Sequence, residues 1–247
     1  MRKVRRVLSL LRSIVFALAA ALITPPYALL ALAIFFLPPM TRYRIISTWS
    51  VSMVWLARVI CGVRWTVTGL ERLPTVPSII LSKHQSAWET LAFQAIFPPQ
   101  VWVLKRSLLW VPFLGWGIGM LSPIAIERSQ RIRALKQTLE QGRARLANGF
   151  WVVVFPEGSR VDPGTRGTWQ IGGAWLAAHA GAPVVPVAVN SGELWPRNGF
   201  IKYPGTIEVM ILDPIDPTGL KADALSKLVE QRVEDAMLQL NGKARSR

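Results

Sequence analysis

The chain is poor in the residues that most often build disulfides and metal centres. Its 247 residues include one cysteine, Cys61, and two histidines, His84 and His179. A single cysteine excludes an intrachain disulfide and any cysteine-rich metal site, and it agrees with a reducing compartment. Acidic residues are scarce as well: 14 Asp and Glu face 29 Lys and Arg, a formal net charge of +15. Nucleic-acid binders share such a charge, but they seldom combine it with 51% hydrophobic residues and a mean hydropathy of +0.32. An anionic membrane surface or phosphorylated substrates match this balance better, and no nucleic-acid partner is expected. Eleven tryptophans suit a protein at a lipid headgroup boundary. Internal repeats and low-complexity linkers are also missing, which leaves one domain, or one domain with an appendage.

Charge of either sign is absent from Ile14 to Leu37, whereas residues 1–12 carry five positive charges and no negative one. A cleaved signal peptide is one reading, weakened by the length of the apolar run and by the lack of a clear small-residue cleavage site before a soluble sequence. Pro25 and Pro26 split it into two pieces of about eleven residues, each about 16 Å long if helical. Neither piece alone crosses a hydrocarbon core of about 30 Å. Basic residues flank both sides: Arg2, Lys3, Arg5, Arg6 and Arg12 before, Arg42, Arg44, Arg58 and Arg64 after. Because positive charge favours the cytoplasmic side, a re-entrant hairpin turning at Pro25-Pro26 is expected, with a single kinked span as the alternative. Residues 45–61 form a further apolar helix, suited to the membrane interface or to a core. The expected division is residues 1–62 as basic and apolar membrane-associating helices and 63–247 as an α/β domain.

From Arg64 onward strands and helices alternate. Strands are predicted at Arg64–Thr68, Ser78–Leu81, Val101–Leu104, Trp151–Phe155, Val184–Val189 and Ile207–Leu212. Helices are predicted at Thr90–Ile96, at 129–148 (basic, amphipathic and closed by Gly149), at Gly173–His179 (capped by Gly181) and at Ala222–Leu240. This alternation implies an α/β fold, a mixed and largely parallel sheet flanked by helices, with an apolar N-terminal helical membrane element.

One of the two histidines falls in Ile79-Ile80-Leu81-Ser82-Lys83-His84-Gln85-Ser86-Ala87-Trp88-Glu89-Thr90, where an apolar strand gives way to a helix. Open α/β sheets place ligands at the carboxyl ends of their strands. Spacing alone supports two readings. If His84 precedes the helix and Glu89 reaches back, the carboxylate holds the imidazole tautomer whose bare nitrogen accepts a proton. Alternatively, Ser86-x-x-Glu89 before an apolar run is the signature of a capping box. The spacing is not H-E-x-x-H, so zinc-protease chemistry finds no support. No strong strand leads into Gly115-x-Gly117-x-Gly119 and no acidic residue follows it at the expected distance, which argues against dinucleotide binding. His179 among alanines reads as structural. The basic helix 129–148 suits a solvated face, anionic lipid or the phosphates of coenzyme A. The apolar residues of Leu108–Met120 suit an acyl-chain channel, a membrane contact or ordinary packing.

Four blocks taken together break the tie at His84. They are His84-Gln85-Ser86-Ala87-Trp88-Glu89, then Lys105-Arg106-Ser107-Leu108 leading to Gly115, then Phe155-Pro156-Glu157-Gly158-Ser159-Arg160, then Val184-Val185-Pro186-Val187-Ala188-Val189. In that order and at those distances they resemble the glycerolipid acyltransferases, over roughly residues 64–215. The resemblance implies transfer of an acyl group from an acyl thioester, acyl-CoA or acyl-carrier protein, to the free hydroxyl of lysophosphatidic acid, giving phosphatidic acid. It makes His84 the base and Glu89 its orienter, and it assigns substrate binding to Lys105, Arg106, Ser107, Glu157, Gly158, Ser159 and Arg160. No acyl-enzyme, metal or cofactor beyond the thioester co-substrate is implied. The expected place is the cytoplasmic face of a bacterial inner membrane, against anionic lipid. Two departures stand out: Glu89 takes the place of the family's commoner aspartate, and the lysine often found after the third block is absent from Thr168-Trp169-Gln170-Ile171-Gly172-Gly173, which leaves Arg166 as a substitute. Another lysolipid acceptor, or glycerol 3-phosphate, is the rival within enzymes; a non-catalytic binder of anionic lipid is the rival outside them.

Overall fold

Residues 2–61 form a helical hairpin that lies along the rest of the molecule. The structure is a computed structural model and describes residues 2–127 and 131–245. Helix α1 (Arg2–Ala33) runs unbroken through Pro25 and Pro26, and α2 (Pro39–Leu56) continues into a π-helical turn at Ala57–Cys61. The hairpin therefore turns at Ile34–Pro38 and not at Pro25-Pro26 as expected. Position within the helix explains the difference between the proline pairs. Pro38 and Pro39 occupy the N-cap and first position of α2, where a missing N–H costs nothing. Pro25 and Pro26 lie inside α1, where α2 packs beside them: the Trp49 indole N–H donates to the Thr24 hydroxyl at 3.2 Å, and the Thr48 hydroxyl lies 3.3 Å from that of Tyr27. Both α1 and the α2 region are long and apolar enough to cross a membrane, and most of the apolar window of α1 is left uncovered by protein.

Both ends of the hairpin are fixed to the domain. Near its start, Phe16 meets Trp195 edge-on at 5.5 Å, and the Ser13 hydroxyl accepts the Lys202 N–H at 2.9 Å. At its tip, Tyr43 packs edge-on against Phe150 at 5.7 Å, and Arg42 reaches the Ser122 hydroxyl at 3.4 Å.

Gly62, with φ of 73°, ends the π-turn and starts the sheet. The strands are β1 (Val63–Thr68), β2 (Ile79–Ser82), β3 (Gln100–Lys105), β4 (Ile124–Ile126), β5 (Trp151–Val154), β6 (Val184–Val189) and β7 (Gly205–Ile211). Their order is β1-β7-β6-β2-β5-β3-β4, parallel except for the β6–β7 pair. The sheet is thus mixed and largely parallel, as predicted. The three central strands β2, β5 and β6 are buried along their whole length, which is why their sequences are unbroken apolar runs with no alternation. Ile79, Ile80 and Leu81 are at most 1% exposed; burial of such side chains contributes about 1.5–3 kcal/mol each.

The helices that follow are α3 (Trp88–Ile96), α4 (Leu114–Met120), α5 (Arg131–Ala147), α6 (Gly172–Ala180) and α7 (Ala222–Arg245). Helices α5, α6 and α7 pack side by side, while α3 and α4 pack against the hairpin. The first residues of the predicted helix 129–148 lie outside the described residues. Neither α4 nor β4 was predicted. Three glycines in seven residues hide α4, since each costs a helix about 1 kcal/mol, and β4 has only three residues.

Candidate active site

Four neighbouring strands deliver the site. The carboxyl ends of parallel β2, β3, β5 and β6 lead into the segments carrying His84, Lys105, Arg160 and Ser191, the location at which open sheets bind ligands. His84 sits in the loop between β2 and α3, its ring stacked on Phe155 at 3.9 Å and 15°. Its Nδ1 faces Glu89 Oε2 at 3.6 Å. That is an ion-pair distance and longer than a hydrogen bond; catalytic pairs are often this loose without substrate.

Glu89 is fully buried, and its carboxylate is held by donors on several sides. Oε1 accepts the Gln85 and Ser86 N–H groups at 2.9 and 3.0 Å, and Oε2 accepts the Ser86 N–H at 3.0 Å. The Ser191 hydroxyl, at the end of β6, donates to Oε1 as well. Ser86 Oγ in turn accepts the Trp88 N–H at 3.1 Å. The two readings of the sequence are therefore compatible: the same carboxylate caps the start of α3 and faces His84. Several donors hold the Glu89 carboxylate in place, and a carboxylate facing Nδ1 favours the tautomer that leaves Nε2 free to accept a proton.

A second buried cluster lies beneath the histidine. Glu157 Oε2 accepts the His84 N–H at 2.8 Å, and Oε1 lies 2.8 Å from the Lys83 ammonium. Lys83, 1% exposed, also contacts Glu234 of α7 at 2.7 Å and donates to the Thr165 carbonyl at 3.1 Å. Burial pushes the Glu157 carboxyl above its ordinary range; Lys83 and the His84 N–H oppose that shift, and the Glu234 charge adds to it. Breaking such a network by removing one partner costs about 3–5 kcal/mol, because it leaves a charge buried and unpaired.

A cavity of about 650 Å³ opens beside His84. Among the sequence-predicted residues, Lys105, Gly158, Ser159 and Arg160 line it together with His84. Gly158 adopts φ of 70°, the left-handed turn that separates buried Glu157 from Ser159 and Arg160 in the wall. Glu157 lies behind His84 and outside the wall, while Arg106 and Ser107 fall on an exposed turn, also outside it. Arg166, the substitute for the missing family lysine, is paired with Glu230 of α7 at 3.0 Å and is not in the wall. The His179 ring lies 4.2 Å from that of Trp175, tilted by 34°, and its Nδ1 lies 2.8 Å from the Trp175 carbonyl, a structural arrangement. The remaining wall is mostly apolar: Leu108, Phe113, Leu114 and Ile118 around α4, Ala28 and Ile46 of the hairpin, Leu91 of α3, and Trp102, Val103 and Leu104 of β3 contribute to it.

Sequence reasoning missed Ser191, Lys83, Glu234, Arg197 and Asn198. The last two line the cavity from the segment after β6. Among the described residues, no group of three or more His, Cys, Asp or Glu side chains is arranged to hold a metal ion.

A family model described as Acyltransferase matches residues 64–190, just over half of the chain. A 1-acyl-sn-glycerol-3-phosphate acyltransferase of Pseudomonas aeruginosa is 48% identical over 199 residues, 80% of this chain and 77% of that one. A protein of the same name from Saccharomyces cerevisiae is 32% identical over 189 residues, 73% of this chain and 61% of its own. The crystal structure of the 1-acyl-sn-glycerophosphate (LPA) acyltransferase from Thermotoga maritima matches with a TM-score of 0.79 at 25% identity, covering 98% of both chains. The chain belongs to the acyltransferase family and is an acyltransferase enzyme.

Proposed function

We propose that the enzyme transfers a fatty acyl group from an acyl thioester, acyl-CoA or acyl-carrier protein, to the sn-2 hydroxyl of lysophosphatidic acid, giving phosphatidic acid. The observation that carries this reading is a single cavity in which an imidazole backed by a buried carboxylate meets cationic side chains, with a largely apolar wall beyond them. In this scheme His84 Nε2 takes the hydroxyl proton as the hydroxyl oxygen attacks the thioester carbonyl. Glu89 stabilises the imidazolium that forms. Collapse of the tetrahedral intermediate expels the thiolate, which recovers the proton from His84, so no acyl-enzyme is needed. Arg160 and Lys105 line the same cavity and suit the phosphate, Arg160 with a planar fork fitted to a bidentate contact. The apolar wall suits the acyl chains.

The proposed setting is the cytoplasmic face of a bacterial inner membrane, where these thioesters occur. Both ends of the hairpin are fixed to the domain, so its uncovered apolar face is the surface offered to lipid, and the +15 net charge draws the whole toward anionic headgroups.

The test uses membranes containing wild type or His84→Ala, given labelled oleoyl-CoA or acyl-carrier protein and a panel of lysolipids, with products identified by mass. Phosphatidic acid formed by wild type and lost by at least about 10²-fold in His84→Ala is expected. Acylation of a different acceptor would replace the substrate, and an undiminished His84→Ala would remove the base.

A further inference from the structure

The cavity wall carries more positive charge than the family blocks account for. Lys105, Arg160 and Arg197 line it, with Asn198 beside them, and among the described residues no aspartate or glutamate does. Arg197 comes after the fourth block, in residues 190–204 that connect β6 to β7.

That connection is held in place at several points. At its start, the Ser191 hydroxyl donates to Glu89 and the Gly192 N–H donates to Gln85 Oε1 at 3.2 Å, both on the segment that carries His84. In the middle, the Gly199 N–H closes a turn onto the Pro196 carbonyl at 3.1 Å, and the Tyr203 N–H returns to the Leu194 carbonyl at 2.8 Å. Behind it, the Lys202 ammonium lies 4.9 to 5.5 Å from the ring centres of Trp195, Phe200 and Phe16.

Arg197 is the second residue of the Pro196–Gly199 turn. Its Nη1 donates to the main-chain carbonyl of Arg160, so the second arginine is fastened to the backbone of the first. Its other contact is Asp162, with Nε 3.9 Å from a carboxylate that is itself largely exposed; such a pair contributes little. A guanidinium has five N–H donors, so most of those on Arg197 stay available. Bringing two like charges into one wall is unfavourable unless an anion lies between them. Because the turn fixes the main chain of Arg197 and the Arg160 carbonyl holds its guanidinium, less side-chain ordering remains to be done when that anion arrives.

We infer that Arg197 is a second anion-binding residue of this site, acting with Arg160 to select acceptors that carry a phosphomonoester. The inference rests on the acyl-transfer reading above and adds a basis for headgroup selection. A phosphomonoester bears close to two negative charges at neutral pH, whereas a phosphodiester headgroup bears one. Two guanidinium forks match the former.

The experiment measures steady-state kinetics of wild type, Arg197→Gln and Arg197→Lys with lysophosphatidic acid, with lysophosphatidylglycerol as the phosphodiester acceptor, and with varied acyl-CoA. Arg197→Gln is expected to raise the KM for lysophosphatidic acid by about ten-fold or more, with the KM for acyl-CoA unmoved and the preference for the phosphomonoester reduced. Arg197→Lys should recover part of the loss, since it restores the charge without the fork. An unchanged KM for lysophosphatidic acid in Arg197→Gln overturns the inference, as does an equal loss with both acceptors. If Arg197→Gln fails to fold, Arg197→Lys decides: a raised KM at wild-type kcat supports the inference, and wild-type KM sinks it. Failure of wild type itself to acylate lysophosphatidic acid would instead bring down the acyl-transfer reading, before any variant is compared.

Discussion

Glu89 shows how one side chain serves local structure and chemistry together. It accepts main-chain N–H groups at the start of α3, as a capping carboxylate does, and it faces His84 from the same position. Glu89→Gln keeps the shape but turns an NH2 group toward donors that need an acceptor, and it removes the charge that supports imidazolium. We expect kcat to fall by about 10²- to 10⁴-fold, with a lower melting temperature because buried N–H groups lose their partner. Ser191→Ala separates the two effects. It leaves Glu89 charged and still bonded to Gln85 and Ser86, but without the hydroxyl from the end of β6. A hydrogen bond to a charged group is worth about 1.5–3 kcal/mol, so kcat should drop by about ten-fold, well short of the Glu89→Gln loss. Steady-state rates at saturating substrates check both. Wild-type kcat in Glu89→Gln would end its assignment as the orienter of His84.

At the level of elements, legibility followed the range of the interaction. Strands β2, β5 and β6 were readable because burial on both faces writes an unbroken apolar run, and α6 because Gly181 ends it in the left-handed conformation. His84 and Glu89 lie within one short segment, so their pairing was open to local reading, although spacing left a capping box as the alternative until the other blocks were added. Ser191 and Glu89 are 102 residues apart, and Lys83 and Glu234 are 151 apart; local spacing holds no trace of either meeting. The hairpin turn was misplaced for a related reason: proline penalties are local, whereas the packing of α2 that accommodates Pro25-Pro26 is not. Close approach of a helix to the sheet was equally hidden. A Cβ at Gly173 of α6 would come within 2.5 Å of Leu81 Cδ2 and 3.1 Å of Val154 Cγ1, both fully or nearly buried. Gly173→Ala gains about 1 kcal/mol of helix propensity but must push α6 off β2 and β5, at about 1–3 kcal/mol for overpacking. The net expectation is destabilisation, read as a lower melting temperature in detergent. A rise in melting temperature would show that the core yields there.

For the whole molecule, the question is whether the hairpin is an anchor that can be cut away or part of the enzyme. Composition alone suggests an anchor: an uncharged apolar stretch follows a basic start. The packing argues for more. Thr24, Tyr27 and Ala28 of α1 line the cavity, and Phe16 and Ser13 support Trp195 and Lys202, behind the turn that carries Arg197. Lys202 is itself buried, and burial holds its ammonium pKa below the usual lysine range; without Phe16 it would lose one face of its aromatic surround. Deleting residues 2–33 should therefore not release a soluble, active domain. It would open one side of the cavity, expose the buried face of α2 and loosen the connection that donates to Glu89 through Ser191. We expect activity to fall by more than about 100-fold even with substrates dispersed in detergent, where anchoring to a bilayer no longer matters. A control chain with α1 intact but Leu18 and Leu22, exposed on its outer face at 67% and 76%, changed to serine should keep its detergent activity and bind vesicles more weakly. A truncated chain as active in detergent as the full one would reduce α1 to an anchor and confine the active site to the α/β domain.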